Sequence, residues 1–214
     1  VAMARSAPDM SMLKPADEVT SPDIHTWEET IAAAWAPQTR SAPAREGPRL
    51  VVIDCGSKRN ILRCLATFGA RVTVVPASLS AADILALQPD GVLVSNGPGD
   101  PTSWLQTIES IRGLLGRVPL FGICLGHQML GIALGGRTMK MKQGHHGANH
   151  PVKDLVTGKV EITSMNHGFA VDQASLPDNV ETTHVSLFDG SNCGLRVKDG
   201  LAFSVQYHPE ASPG

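Results

Sequence analysis

The segment Phe121-Gly-Ile-Cys-Leu-Gly-His-Gln128 decides the fold class of this chain, because it leads from a strand into a helix through a very tight turn. An apolar strand runs into Cys124, and a helical pattern of apolar residues starts directly after it. Gly122 and Gly126 flank the cysteine on both sides, in the G-x-nucleophile-x-G pattern of a nucleophile elbow. Larger side chains at the flanking positions would collide in such a turn. The segment therefore predicts a reactive cysteine at the carboxyl end of a strand in an α/β fold.

The position of Cys124 predicts chemical activation of its thiol. A helix N-terminus attracts negative charge, so we expect it to lower the pKa of this thiol. The backbone N–H of Leu125 is expected to point at whatever the sulfur attacks, where it can stabilise an oxyanion. The alternative is a buried structural cysteine, the usual role of an isolated cysteine. We assign that alternative to Cys55, Cys64 and Cys193, which lack the flanking glycines.

Strands and helices alternate along the first half of residues 49–214. The patterns predict strands at 50–53, 71–75, 91–95 and 118–123, and helices at 60–68, 80–87, 103–115 and 125–134. This alternation predicts an open, mostly parallel twisted sheet with helices on both faces. Shorter strand-like runs at 160–163, 180–183, 195–197 and 202–205 predict a small antiparallel extension. Ligands of such sheets bind beyond the carboxyl ends of the parallel strands.

Composition divides the chain and limits its partners. Six prolines break up residues 1–48, which we interpret as a tail or linker with one short helix or strand near 26–35, whereas residues 49–214 form one domain. A net charge of -2 gives no reason to expect nucleic acid or an anionic membrane as partner. No apolar run approaches the roughly 20 residues needed to cross a bilayer. The cysteines form no CxxC pair, and a reducing cytoplasm is the predicted location.

A base for the cysteine is found near the end of the chain. His208 follows an apolar strand in Gln206-Tyr-His-Pro-Glu210, and strand ends are where α/β sites collect their residues. In extended chain, residues i and i+2 point the same way, so Glu210 is expected to hydrogen-bond one imidazole nitrogen of His208. The other nitrogen then faces the thiol and exchanges its proton.

Two further segments allow more than one interpretation. His145, His146 and His150 invite a metal hypothesis, but Gly144, Gly147 and Pro151 disfavour a helix there and no acidic or cysteine ligand is close in sequence, so we predict no metal. His127 is interpreted as a packed residue. The loop at 95–101, Ser-Asn-Gly-Pro-Gly-Asp-Pro, is either a plain turn or a backbone wall that supplies a second oxyanion N–H; it lacks a phosphate-binding pattern.

Taken together, GICLGHQ, SNGPGDP and HPE resemble the motifs of the class I (triad) glutamine amidotransferases. Within that group, the stretches at 144–152 (GHHGANHPV), 166–171 (NHGFAV) and 208–214 (HPEASPG) are similar to the small chains of carbamoyl-phosphate synthase. The likeness covers residues 49–214 and extends faintly to 18–20 and Trp27. It implies that most of an N-terminal domain and a last helix are missing from this chain.

The resemblance also implies roles for individual residues. Cys124, His208 and Glu210 would form the catalytic triad, and the N–H groups of Gly97 and Leu125 the oxyanion hole. The residues implied to bind glutamine are Gly97, Gly99, Leu125, Gln128, Asn166, Gly168 and Phe169.

Activity and partners follow from the same resemblance. The chain would hydrolyse L-glutamine and pass ammonia to a large synthetase chain that makes carbamoyl phosphate for arginine and pyrimidine synthesis. ATP, Mg and bicarbonate would bind to that partner, with no cofactor in this chain. Two alternatives stay open: a glutaminase of another kind, such as those of anthranilate or GMP synthase or a γ-glutamyl hydrolase, and a non-catalytic regulatory subunit.

Overall fold

A computed structural model describes residues 19–32 and 47–211 of the chain. Its strands are β1 (His25–Trp27), β2 (Arg49–Asp54), β3 (Arg71–Pro76), β4 (Gly91–Val94), β5 (Leu120–Ile123), β6 (Arg137–Asp154), β7 (Val160–Asp172), β8 (Val180–Ser186), β9 (Asn192–Val197) and β10 (Ala202–Val205). Its helices are α1 (Arg59–Thr67), α2 (Ala81–Ala86), α3 (Leu105–Leu114) and α4 (Leu125–Ala133), with short 3-10 turns at Pro101–Ser103 and Gln173–Ser175.

All ten strands belong to one sheet, in the order β1-β3-β2-β4-β5-β10-β9-β8-β6-β7. Five neighbouring strands, β3-β2-β4-β5-β10, run parallel. Numbered along the chain, these five have the order 2-1-3-4-5, which is that of flavodoxin-like sheets. The strands on either side pair antiparallel. The topology confirms the predicted open α/β sheet with an antiparallel extension.

Helices cover both faces of the parallel strands. Successive side chains of a strand point to opposite faces, so apolar residues in succession make both faces apolar, and each face packs against helices. In β2, Val51 and Ile53 belong to a core cluster that includes Ile84 of α2, residues of α3 and residues of α4. Val52 lies on the other face, in a cluster with Ile61 and Leu62 of α1. No helix in the described ranges combines the length and apolar character required to cross a bilayer.

Local sequence signals set several of these elements. Ser80 is the N-cap of α2, where its hydroxyl accepts a hydrogen bond from the Asp83 N–H at 3.2 Å. Gly69, at φ +88°, ends the turn after α1. Helix α3 starts later than predicted, at Leu105, because Trp104 has a non-helical backbone (φ -92°, ψ 46°) and the preceding residues form a 3-10 turn.

The largest difference from the sequence-based prediction is the hairpin of β6 and β7. Strand β6 was not predicted, and β7 continues nine residues beyond the predicted end at 163. Gly144, Gly147 and Pro151 exclude a helix, as expected, yet they lie inside β6. The strand tolerates them because its pairing with β7 shifts register between Lys140 and His145 and again between Gly147 and His150.

Part of the predicted tail joins the sheet. Residues His25–Trp27 form the edge strand β1, paired antiparallel with β3. Ser21 donates hydrogen bonds to Asp54 Oδ2 from its backbone N–H (2.8 Å) and its hydroxyl (2.6 Å). Residues 1–18, 33–46 and 212–214 lie outside the described ranges, and with them the motif residues at 18 and 212–214. The domain boundary at 48/49 stays a prediction.

Candidate active site

A cavity of about 690 Å³ opens where the carboxyl ends of four parallel strands meet. Lys58 follows β2, Asn96 and Gly97 follow β4, Cys124 follows β5 and His208 follows β10, and all of them line it. The hairpin of β6 and β7 forms the opposite wall. The site therefore lies where open α/β sheets bind their ligands.

Cys124 occupies a strained elbow at the floor of this cavity. Its backbone has φ 54° and ψ -101°, an unusual conformation for a residue other than glycine. A Cβ on Gly122 would lie 2.6 Å from the Gly126 carbonyl oxygen, and one on Gly126 would lie 2.1 Å from the Val94 oxygen. These overlaps confirm the predicted reason for the glycine pair. The Cys124 N–H donates to the Val205 oxygen at 3.0 Å, which joins the elbow to β10.

The start of α4 lowers the pKa of the Cys124 thiol as predicted, through the Leu125 N–H, but burial has a larger effect in the opposite direction. Burial raises the pKa of this thiol to about 12, because a thiolate loses its water shell there. Lys58 and the Leu125 N–H act in the opposite direction without overcoming burial. The neutral thiol donates a weak hydrogen bond to the Asn166 carbonyl oxygen at 3.8 Å. A proton acceptor is therefore needed before the sulfur can act as a nucleophile.

His208 and Glu210 form the predicted hydrogen bond. Glu210 Oε1 lies 2.7 Å from His208 Nδ1, and both side chains are only 2% exposed. The local chain is a turn rather than the extended segment that we expected, since the Ala211 N–H donates to the His208 oxygen at 3.1 Å. Asn60 holds the turn by donating from Nδ2 to the Glu210 backbone oxygen at 2.8 Å. The Nε2 atom of His208 is thus the nitrogen left for the cavity.

Lys58 lines the cavity as well, although it was not among the predicted site residues. Its Nζ lies 3.7 Å from Glu210 Oε1, and its side chain is 18% exposed. The same charge favours the Cys124 thiolate by lowering the pKa of that thiol. Its sequence signal was its place directly after a parallel strand, at the start of α1.

The loops after β2 and β4 are tied together beside the cysteine. The Ser95 hydroxyl accepts from the Cys55 N–H at 2.9 Å, and Asn96 Oδ1 accepts from the Lys58 N–H at 3.0 Å. Gly97 fits between them only because it has no side chain: a Cβ there would lie 2.1 Å from the Cys55 oxygen and 2.7 Å from Leu125 Cδ2. This packing brings Gly97 next to Leu125, the other residue predicted for the oxyanion hole.

Gln128 connects the elbow helix to the opposite wall. Its Nε2 donates to the Phe169 backbone oxygen at 2.8 Å and to Gln206 Oε1 at 3.0 Å. Asn166 Oδ1 lies 2.8 Å from His146 Nδ1. A Cβ on Gly168 would meet no atom within 4 Å, so this stretch of β7 presents bare backbone to the cavity.

Most of the predicted site residues line the one cavity. Those that do are Gly97, Gly99, Cys124, Gln128, Asn166, Gly168, Phe169 and His208. Leu125 is buried beneath it at the start of α4, and Glu210 lies behind His208. The cavity also has lining residues that were not predicted as site residues: Gly56, Lys58, Asn96, Pro98, Lys140, Met141, Gly144, His146 and His167.

The other histidines and cysteines have structural surroundings. His127 is fully buried with Nδ1 2.9 Å from the Ser204 hydroxyl, and burial lowers its pKa to about 3, which confirms that it is a packed residue. Within residues 19–32 and 47–211, no three His, Cys, Asp or Glu side chains are grouped to hold a metal ion. Cys55 and Cys193 are buried and Cys64 partly buried, and burial raises the pKa of all three thiols.

Sequence comparison finds similar chains among bacterial carbamoyl phosphate synthase small chains. The chain is 57% identical to that of Ruegeria pomeroyi over 100% of its own length and 55% of the relative's. It is 60% identical to that of Mesorhizobium japonicum over 93% of its length and 50% of the relative's. The chain thus spans about half the length of the curated relatives it matches.

Structure comparison shows which fold the chain has, and a family model shows its family. A putative GMP synthase component from Thermoplasma acidophilum matches with a TM-score of 0.66 and 21% identity, over 77% of this chain and 85% of that one. A glutamine amidotransferase from Thermotoga maritima matches with a TM-score of 0.61 and 20% identity, over 77% of each chain. Both show the shared fold. The family model for class-I glutamine amidotransferases matches residues 51–214. The chain therefore belongs to the class-I glutamine amidotransferase family.

Proposed function

We propose that this chain hydrolyses glutamine to glutamate and ammonia through a thioester on Cys124. The observation that carries the proposal is the arrangement around one cavity. Cys124 lies on a strained elbow, and the Nδ1 atom of His208 is hydrogen-bonded to the buried carboxylate of Glu210. This is the nucleophile, base and orienting group that acyl transfer requires.

His208 Nε2 takes the thiol proton as the Cys124 sulfur attacks the side-chain amide carbon of glutamine. The carbon–nitrogen bond then breaks, and His208 gives the proton to the leaving nitrogen, which departs as ammonia. Water attacks the thioester, passes a proton to His208, and releases glutamate with the thiol restored. Glu210 keeps the imidazole oriented and stabilises its charged form in both halves of the cycle.

The remaining cavity residues bind the substrate in this proposal. Gly97 lies next to Leu125, and the N–H groups of the two residues stabilise the oxyanion of each tetrahedral intermediate in this proposal. Gln128 has both Nε2 hydrogens engaged by Phe169 and Gln206, so its Oε1 is the atom that accepts a hydrogen bond from the substrate. Backbone at Gly99, Asn166 and Gly168 contacts the amino-acid end of glutamine.

We further propose that the ammonia is used by a carbamoyl-phosphate synthase large chain in a hetero-oligomer. The support is 57–60% identity to relatives named carbamoyl phosphate synthase small chain. ATP, Mg and bicarbonate bind to that partner in this proposal, and this chain needs no cofactor of its own. The likeness to a putative GMP synthase component, at 21% identity, supports only the fold, so we favour carbamoyl phosphate over GMP as the product. A cytoplasmic location stays a prediction.

Substitution of the nucleophile tests the chemistry. Cys124→Ser should abolish glutamate release, and glutamine should leave a glutamyl adduct on Cys124 of the parent chain that is detectable by mass spectrometry. His208→Ala should slow glutamate release by at least about 10²-fold. Cys193→Ser, at a buried cysteine outside the cavity, is the matched control. Glutamate release by Cys124→Ser at the parental rate would refute the mechanism and favour the non-catalytic alternative.

The partner is tested separately. A complex assembled with a carbamoyl-phosphate synthase large chain should make carbamoyl phosphate from glutamine, ATP and bicarbonate. Product formation with ammonia but not with glutamine would contradict the proposed role of this chain.

A further inference from the structure

Gln206 is a fully buried polar residue to which the proposed mechanism gives no part in the chemistry of the sulfur. It follows β10 directly and precedes His208 by two residues. Val205 pairs with Ile123 in the parallel ladder, so the next residues along the two strands, Gln206 and Cys124, emerge side by side. Gln206 is 0% exposed and lies behind Gln128, a residue that lines the cavity.

The oxygen and the nitrogen of the Gln206 side-chain amide differ in their hydrogen bonding. Its Oε1 accepts a hydrogen bond from Gln128 Nε2 at 3.0 Å. Its Nε2 is buried and has no hydrogen-bond partner among the described residues. A buried amide donor without an acceptor is costly, and such groups are uncommon in folded proteins. An acceptor that forms during the reaction would satisfy this donor.

The Cys124 sulfur becomes such an acceptor when it ionises. In the resting site the thiol donates to the Asn166 carbonyl oxygen. A thiolate has no proton to donate and is repelled by that oxygen, so it turns toward donors. The Gln206 side chain favours the thiolate, since its hydrogen bonding lowers the pKa of the Cys124 thiol, although the effect of burial is larger.

We propose that Gln206 is a positioning residue with two functions: its Oε1 fixes the orientation of the Gln128 amide, and its Nε2 donates a hydrogen bond to the Cys124 thiolate. The inference rests on the proposed glutaminase function, because that function gives the thiolate its role. The hydrogen bond from Gln206 to the thiolate, however, forms without turnover of glutamine. The first function leaves Gln128 Oε1 facing the substrate. The second stabilises the sulfur anion before attack and after the thioester is hydrolysed.

The test measures the reactivity of Cys124 directly, by the rate at which iodoacetamide alkylates it at pH 8 in the whole 214-residue chain. Below the thiol pKa this rate follows the thiolate fraction. Gln206→Met keeps the side-chain length and removes the donor, so alkylation should be slower by about 10-fold, the effect of one lost hydrogen bond to an anion. Gln206→Glu replaces the donor with a negative charge and should slow it further.

Two controls separate positioning from a general disturbance. Gln143→Met, at an exposed position of β6, should alkylate at the parental rate. Gln128→Met breaks the amide pair from the other side; it should raise KM for glutamine while leaving the alkylation rate within about two-fold of the parent, since the Gln206 donor remains. Equal slowing in Gln143→Met, or parental rates in folded Gln206→Met and Gln206→Glu, would overturn the inference.

A measurement on the unsubstituted chain covers the case in which the buried variants do not fold. The side-chain NH₂ resonances of Gln206, observed by ¹⁵N nuclear magnetic resonance at pH 7, should shift when Cys124 is alkylated, because the sulfur that the Gln206 donor faces is then modified. Resonances that are unchanged by alkylation would overturn the inference. Neither the alkylation rate of Cys124 nor the resonance shift of Gln206 uses glutamine hydrolysis, so a chain that lacks glutaminase activity refutes the proposed function alone.

Discussion

Gly126→Ala tests whether the elbow depends on steric clearance. The added methyl would lie 2.1 Å from the Val94 oxygen, whereas Cβ contacts below 3.0 Å are essentially never seen, so the backbone must move by about 0.9 Å. That movement also breaks the hydrogen bond from the Gly126 N–H to the Ser95 oxygen at 3.1 Å. Overpacking costs about 1–3 kcal/mol and a buried unpaired N–H about as much again. We expect a loss of roughly 2–6 kcal/mol in the free energy of unfolding.

Thermal unfolding followed by circular dichroism measures this loss. For a chain of this size, 1 kcal/mol corresponds to about 2–4 °C, so Tm should fall by roughly 5–20 °C. Glutamine turnover should fall by about 10²-fold even where the variant is folded, because a displacement near 1 Å misplaces the nucleophile and the Leu125 N–H. Gly168→Ala is the matched control, since its methyl meets no atom within 4 Å. A Gly126→Ala variant that melts within about 2 °C of the parent would refute the steric argument.

Three further predictions address binding, charge and pH. Gly168→Ala should keep the parental Tm but raise KM for glutamine several-fold, because the methyl enters the cavity; an unchanged KM would contradict the proposed binding wall. Lys58→Met should slow iodoacetamide alkylation of Cys124 by about 10-fold or more, the effect of losing one nearby positive charge, while Lys58→Arg should retain most of the rate. Burial lowers the pKa of His127 to about 3 in the folded chain, whereas the unfolded chain keeps the ordinary histidine pKa of about 6.5. As the pH falls below about 6.5, the unfolded chain therefore binds a proton that the folded chain does not, and folding stability is lost. Urea unfolding should show about 2 kcal/mol less stability from this residue at pH 5 than at pH 7. His127→Gln should remove that share, whereas His25→Gln, at an exposed position, should not.

The sequence was sufficient where function depends on a local pattern. The glycine pair around Cys124 predicted an elbow that the backbone angles and the Val94 and Gly126 contacts confirm. The pairing of His208 with Glu210 was also predictable, because the two are only two residues apart. The alternation of strands and helices indicated the parallel core and the helices that cover it.

Features that depend on distant contacts were missed or predicted wrongly. Strand β6 contains glycines and a proline that hide its pattern, and only pairing with β7 makes it a strand. Lys58 and Glu210 lie near opposite ends of the domain sequence, so no local spacing of residues indicates their ion pair. The pKa of Cys124 was predicted from its helix start, but burial, which is set by the whole fold, has the larger effect.

Two parts of the sheet form the cavity: the parallel core and the antiparallel hairpin of β6 and β7. Cys124 and His208 follow the adjacent parallel strands β5 and β10, whereas Asn166 and Gly168 belong to the outermost hairpin. The hairpin also contacts the reacting groups, since the Asn166 oxygen accepts a hydrogen bond from the Cys124 thiol and the Ser164 oxygen accepts one from the His208 N–H at 2.9 Å. Ligand affinity and chemical rate are therefore coupled in this architecture, because a shift of the hairpin backbone alters both.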